Sequence, residues 1–359
     1  MAEAVPALFE EERTSLVGLD REGAASLCEG LGLRGFQAGE VDRWVYAHRC
    51  PDPALRTNLP KAARIALAAR SVPGLPAVAG EQTSADGTRK FLLELHDGER
   101  IEAVYIPDKT RRTVCVSSQV GCAVGCRFCL TGKMGFKRNL TPGEILGQFF
   151  VLESHTDLRE SLYNVVFMGM GEPMANRKNL EAALAILEDP DGMGLSWRRI
   201  TVSTSGLADA FEAFAKSPVC PRLSLSLNAP TDALRTELMP INERFPLGRL
   251  RAVLQSLSRR NRERISLEYV LLGGVNDSPR CARDVARFAK GLKVKVNLIP
   301  FNPAPGLPFS PSAPEAVRAF QDVLMEGGIP TSVRKSRGLD ILAACGQLAR
   351  KNWAEGSGA

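Results

Sequence analysis

From Cys115 onward, short β-branched runs alternate six times with helical runs, and no other feature restricts the fold as strongly. "TVCVSSQV", "YNVVFMGM", "RRITVSTSG", "RLSLSLNA", "RISLEYVLL" and "VKVNLIPFN" read as strands, each followed by a helix-period segment. The first helix carries a capping signature, with Thr141 followed by Pro142 and by Glu144 three positions on. Strand–helix repeats of this kind make a parallel sheet. Six units are too few for a closed eight-fold barrel, so the expected fold is α/β, an open partial (β/α)6 barrel. The tail "TSVRKSRGLDILAACGQLARK" is expected to add a short strand and a helical segment.

Ahead of the barrel, residues 19–75 read as helices: "REGAASLCEGLGLR", "QAGEVDRWVYAHR" and "KAARIALAAR". "SVPGLPAVAGEQTSADGTRK" reads as a Gly/Pro-rich connection, and "FLLELHDGERIEAVYIPD" as a β-hairpin turning at "DG". The expected organisation is a small helical accessory domain over 1–80, a hairpin extension over 81–112, the barrel over 113–345 and a tail over 346–359.

Hydrophobic content of 44% and charged content of 24% are ordinary for a soluble globular chain. The start, "MAEAVPALFEEERTSLVG", lacks a positive region followed by an apolar run, and no stretch has the roughly 20 apolar residues of a membrane span. A cytoplasmic protein without membrane attachment is expected. In a reducing compartment, nine cysteines are more often ligands or catalysts than bridges. Cys28, Cys50, Cys220 and Cys281 sit in apolar or helix-like surroundings and read as buried filler. The net charge of +6 is weak evidence for a polyanionic partner.

Sites in such folds lie at the carboxyl ends of the strands. There the sequence places "GMGEP", "STSG", "SLNAP", "PFNPAPG" and the loop "CVSSQVGCAVGCRFC". Turn chemistry explains any one of these, but five together point to one ligand pocket. Within the loop, Cys122, Cys126 and Cys129 follow a C-x3-C-x2-C spacing. A zinc site would need a fourth ligand, and the three histidines, His48, His96 and His155, are all distant in sequence. A disulfide would leave an odd thiol. A [4Fe–4S] cluster with three protein ligands and one open iron fits the spacing.

This loop in a partial barrel resembles the radical S-adenosylmethionine (SAM) superfamily, in which the open iron binds the amino and carboxylate groups of SAM. "CVSSQVGC", "GFKRNLT", "NVVFMGMGEP", "STSG", "MPIN", "NLIPFNP" and "AACGQL" together resemble the RlmN/Cfr family, RNA methyltransferases acting on an aromatic carbon of adenosine. The resemblance covers about residues 20–350. It implies a [4Fe–4S] cluster on Cys122, Cys126 and Cys129, and two SAM per turnover. It further implies a methylated Cys345, a radical formed from that S-methyl group, an RNA adduct, and release by Cys115 through a transient Cys115–Cys345 disulfide. Glu102 matches the family's base. Gly171, Glu172, Ser203, Ser226, Leu227, Asn228 and Asn302 match its SAM contacts, Asn228 standing where many members have His. From the residues alone, Cys345 is as well read as a buried helix cysteine or a fourth cluster ligand, and Glu102 as an exposed hairpin carboxylate.

The implied partners are a 23S rRNA precursor and tRNA, with an electron donor such as flavodoxin or ferredoxin, and the expected state is a monomer. Lys133, Lys137, Arg138, Arg334, Lys335 and Arg337 flank the expected site and suit phosphate neutralisation. Arg34, Arg43, Trp44, Tyr46 and Arg49 form a basic and aromatic set that could grip folded RNA. The nearest variant of this reading is Cfr-type methylation at C8 rather than C2. A reading of another class is a zinc-stapled RNA-binding module without catalysis.

Overall fold

The chain's structure, a computed structural model, describes residues 13–260 and 265–349. Seven parallel strands stand side by side in sequence order: Arg112–Cys115, Tyr163–Phe167, Ile200–Thr204, Arg222–Ser226, Ile265–Leu271, Val294–Pro300 and Thr331–Val333. The first six are those read from the periodicity, and the seventh is the short strand of the tail. The sheet does not close on itself, so the barrel is open. Its helices cover it with apolar side chains; Phe149, Phe211, Phe214 and Phe320 from the helices and Phe167 and Tyr269 from the strands are among the largest fully buried side chains.

The capping signature forms as read. Thr141 Oγ1 accepts from the Glu144 amide at 3.2 Å, and the Glu144 carboxylate accepts from the Thr141 amide at 2.9 Å. This fixes the start of helix Pro142–His155, on which the N-terminal module docks. Gly18 there has φ +103, and an added Cβ would lie 2.5 Å from the Gly143 backbone, so only glycine permits the approach. The module's three helices are Arg21–Gly30, Gly35–Tyr46 and Lys61–Arg70.

Two expectations are corrected. Residues 77–83 are not a connection but a strand, Ala77–Thr83, antiparallel to Arg89–Glu94. With Arg100–Pro107 the hairpin strands continue the barrel sheet beyond Arg112–Cys115, giving a sheet of ten strands among the described residues. Ala77–Thr83 is an edge strand with a bulge at Val78/Gly80 and no buried residue, so the alternation that announces a half-buried strand is missing. The second correction lies in the tail. Residues 339–349 are turns rather than a helix, with Gly338, Leu342 and Gly346 at positive φ. The Leu130 amide donates to the Gly346 carbonyl at 2.8 Å and Thr131 Oγ1 to the Leu348 carbonyl at 2.7 Å, which fastens these turns to the cysteine loop.

Candidate active site

The cysteine loop leaves the first parallel strand and folds over the sheet's carboxyl end. Gly132 lets it do so, because a Cβ there would sit 2.9 Å from the Cys126 carbonyl oxygen. Cys122, Cys126 and Cys129 line one cavity of about 160 Å³. Burial pushes the Cys122 thiol up to about 12 and raises Cys126 and Cys129 as well. Three half-buried soft donors facing one void are unfavourable as free thiolates and favourable as ligands of a soft metal centre. Among the described residues no three His, Cys, Asp or Glu side chains converge on one ion position. The three cysteines line one cavity without converging on a single point, an arrangement that would suit a multi-iron cluster better than a single ion.

Gly171, Glu172, Ser203, Ser226 and Asn228 line the same cavity from the ends of three neighbouring strands. Glu172 is 4% exposed. Its Oε2 accepts from the Ser205 amide at 2.7 Å and Ser205 Oγ at 2.6 Å, and its Oε1 from the Met174 amide at 3.0 Å. Burial nonetheless raises its pKa above the ordinary carboxylate value. Asn228 has φ 56. Its Oδ1 accepts from the Val270 amide at 2.9 Å, which stitches two strand ends together. Left-handed backbone is enriched in both Asn and His, which accounts physically for either residue here. Leu227 is fully buried in the core and is not among the cavity-lining side chains; its amide donates to the Glu268 carbonyl at 2.9 Å.

A second cavity, of about 140 Å³, adjoins the first, and Cys345 lines both. The exposed Cys345 stands on a turn and not on a helix. Cys115, Asn302 and Arg334 line the second cavity with it. Asn302 therefore lies beside Cys345 and apart from the Glu172 group. Burial, and the nearby Cys345 sulfur, push the Cys115 thiol up to about 12, opposed by the Arg334 charge.

Glu102 is fully buried, not an exposed hairpin carboxylate. It lies 3.3 Å from Lys90 Nζ, also fully buried, and burial lowers the Lys90 pKa. Val104 is opposite Cys115 and Lys90 is opposite Val104, so Cys115, Lys90 and Glu102 share one face of the sheet. Glu102 lines neither cavity. Lys90 and Glu268 escape a sequence reading, though a charged residue amid the apolar runs "KFLL" and "ISLEYV" is the available signal.

Several of the basic residues are paired within the chain. Arg138 is forked by Glu144 at 2.8 Å and held by Asp97 at 2.7 Å; Lys137 pairs with Glu99, and Arg337 with Asp108 at 3.1 Å. Tyr46 is buried with its hydroxyl donating to the Leu19 carbonyl at 2.7 Å, and Arg49 is paired with Glu153 at 2.8 Å. Both are structural. Arg34, Arg43, Lys133 and Lys335 are exposed, and Trp44 is half-buried. Of the cysteines read as filler, Cys28 is buried and Cys50, Cys220 and Cys281 are partly exposed.

The radical SAM superfamily model matches residues 116–284, and the model for the N-terminal domain of ribosomal RNA large subunit methyltransferases matches residues 14–72. The chain is 48% identical over 346 residues to the dual-specificity RNA methyltransferase RlmN of Anaeromyxobacter sp. (strain Fw109-5), covering 94% of this chain and 91% of that one. It belongs to the RlmN family. The RlmN of Solidesulfovibrio magneticus is 45% identical over 96% of this chain and 99% of its own. A radical SAM methyltransferase from Sphaerobacter thermophilus superposes with a TM-score of 0.89 at 42% identity, over 93% of this chain and 99% of that one. As an RlmN-family methyltransferase the chain uses a [4Fe–4S] cluster and SAM, and the zinc-stapled module is set aside. No helix among the described residues is long and apolar enough to cross a membrane.

Proposed function

We propose that this RNA methyltransferase makes 2-methyladenosine in 23S rRNA, at the peptidyl-transferase centre, and in tRNA, at the adenosine 3′ of the anticodon. The relatives' name, dual-specificity RNA methyltransferase, supports both substrates. The observation that carries the reading is that one exposed cysteine, Cys345, borders both the cavity of the three loop thiols and the cavity of Cys115.

Cys122, Cys126 and Cys129 hold the cluster, and Gly171, Glu172, Ser203, Ser226 and Asn228 hold SAM. When bound, these groups supply a methyl group to a thiolate and a one-electron route to a carbon radical. Cys345 carries the methyl carbon and becomes joined through it to the adenine ring, and the unpaired electron left on the ring departs by the same one-electron route. Glu102 serves as the base for the adduct's ring proton, its charge held by Lys90. Cys115 then attacks the Cys345 sulfur. The S–S bond forms, the carbon–sulfur bond breaks, the electron pair leaves with the nucleobase, which is protonated, and a dithiol reductant restores both cysteines.

Exposed Lys133 beside the cysteine loop, with Arg127 in a loose, exposed pair with Glu237 at 3.7 Å, supports an acidic electron carrier such as flavodoxin or ferredoxin. A cytoplasmic monomer completes the reading. Cys115→Ala is expected to accumulate covalent RNA–protein adduct, and Cys345→Ala to lose methylation while keeping about four irons per chain. Normal turnover by Cys115→Ala overturns its resolving role, and iron loss in Cys345→Ala makes Cys345 a cluster ligand instead.

A further inference from the structure

Glu268 and Arg334 are used by neither the cluster nor the SAM contacts above, yet they bridge the two cavities. Glu268 is 4% exposed and lines the first cavity. Its Oε1 accepts from Ser224 Oγ and from Asn297 Nδ2, both at 2.8 Å. The carboxylate is thereby fixed, and its Oε2 faces Arg334 Nη1 at 3.4 Å. Arg334 follows directly on the last parallel strand, its amide donating to the Leu298 carbonyl at 2.8 Å. Its guanidinium also reaches Met168 Sδ at 3.5 Å, and Met168 lines both cavities. Arg334 thus lines the cavity of Cys115 and Cys345, with its side chain 34% exposed.

A buried thiol must become a thiolate to attack sulfur, and burial opposes that. We propose that Arg334, aimed by Glu268, is a positioning residue for the thiol pair: its charge stabilises the thiolate with which Cys115 attacks Cys345. The inference rests on the resolving role given to Cys115 above. The other charged groups on this cavity are Lys335, which is exposed, and Arg337, which is spent on Asp108. Arg334 is therefore the cation best placed to act on Cys115, and its charge opposes the rise that burial imposes on that thiol's pKa.

The test is alkylation of the cluster-loaded protein by iodoacetamide, a neutral reagent, from pH 6 to 10, with labelling of Cys115 read by peptide mass spectrometry. Arg334→Gln is expected to react about tenfold more slowly at a given pH, with the profile displaced to higher pH, because a cation at close range shifts a pKa by about one unit or more. Arg334→Lys is expected to restore most of the rate. Glu268→Gln separates charge from architecture. It removes the negative charge but keeps a side-chain oxygen that can still accept from Arg334, so the cation stays aimed and Cys115 should react as fast as in the wild type or faster. If Glu268→Gln slows labelling as Arg334→Gln does, the pair is only structural and the inference is wrong. Superimposable Arg334→Gln and wild-type profiles overturn it as well. Iron absorbance confirms folding of each variant. RNA adduct formation by Cys115→Ala is scored separately, so a failed resolving role and a failed Arg334 role give different results.

Discussion

Asn302 donates its side-chain amide to the carbonyl oxygen of Cys345 at 3.2 Å, while Ser336 Oγ donates to the Asn302 side-chain oxygen at 2.6 Å. One asparagine at a strand end thus ties down the turn that presents Cys345. Asn302→Ala is expected to keep the cluster and the fold, since one hydrogen bond contributes only about 1 kcal/mol. Displacement of the thiol should still lower kcat, on the order of tenfold to a hundredfold. Single-turnover formation of S-methylcysteine at Cys345 measures this, and a wild-type rate would remove Asn302 from the positioning role.

Cys115 gives a pH signature. Its thiol is pushed up to about 12 from an ordinary value of 9.0. A raised folded-state pKa means the proton is held more tightly folded than unfolded. The contribution is complete below pH 9 and declines as pH rises toward 12. At a pH of about 10.5 it should have fallen by about 2 kcal/mol. Denaturant unfolding at about pH 8 and about pH 10.5 should show a smaller pH-dependent loss for Cys115→Ala than for the wild type. Equal losses would place the thiol in a more polar setting than the structure does.

Lys90 and Glu102 are a fully buried ion pair 3.3 Å apart. Removing one member of such a pair leaves an uncompensated charge, so Lys90→Met should cost about 3–5 kcal/mol of stability. The double variant Lys90→Met with Glu102→Leu should recover most of it, yet stay inactive if Glu102 is the base. Melting temperature and turnover together decide the matter. An active double variant would make the pair purely architectural.

Asn228, at φ 56, should accept His with activity retained, because both residues tolerate left-handed backbone and can serve the Val270 amide. Asn228→Val should cost about 1–3 kcal/mol through strain. A thermal melt reads it, and an unchanged melting temperature for the valine variant would contradict the strain argument.

The barrel is legible in the sequence because each parallel strand is a short apolar run between turn residues and each helix has its own period. Thr141 and Glu144 mark a helix start to the residue. Ala77–Thr83 is not legible, since an exposed edge strand carries no alternation. The turns around Cys345 imitate a helix in sequence: Ile341, Ala344 and Leu348 fall at helical spacing, while Leu342 and Gly346 sit at positive φ, which no helix allows. Pairings are hidden as well. Arg138 and Arg49 look like RNA-binding cations until Glu144 and Glu153 are seen beside them. The cluster loop is the most legible part of the site, because its ligands are local in sequence. The bridge from Glu268 to Arg334 is the least legible, because it exists only once the strands are side by side.

The most direct test is mass spectrometry of nucleosides from a 23S rRNA fragment incubated anaerobically with the protein, SAM and a reductant. The account predicts 2-methyladenosine, lost in Cys345→Ala. 8-Methyladenosine would contradict the C2 assignment, and SAM cleavage without any methyladenosine would contradict RNA adenosine as the substrate.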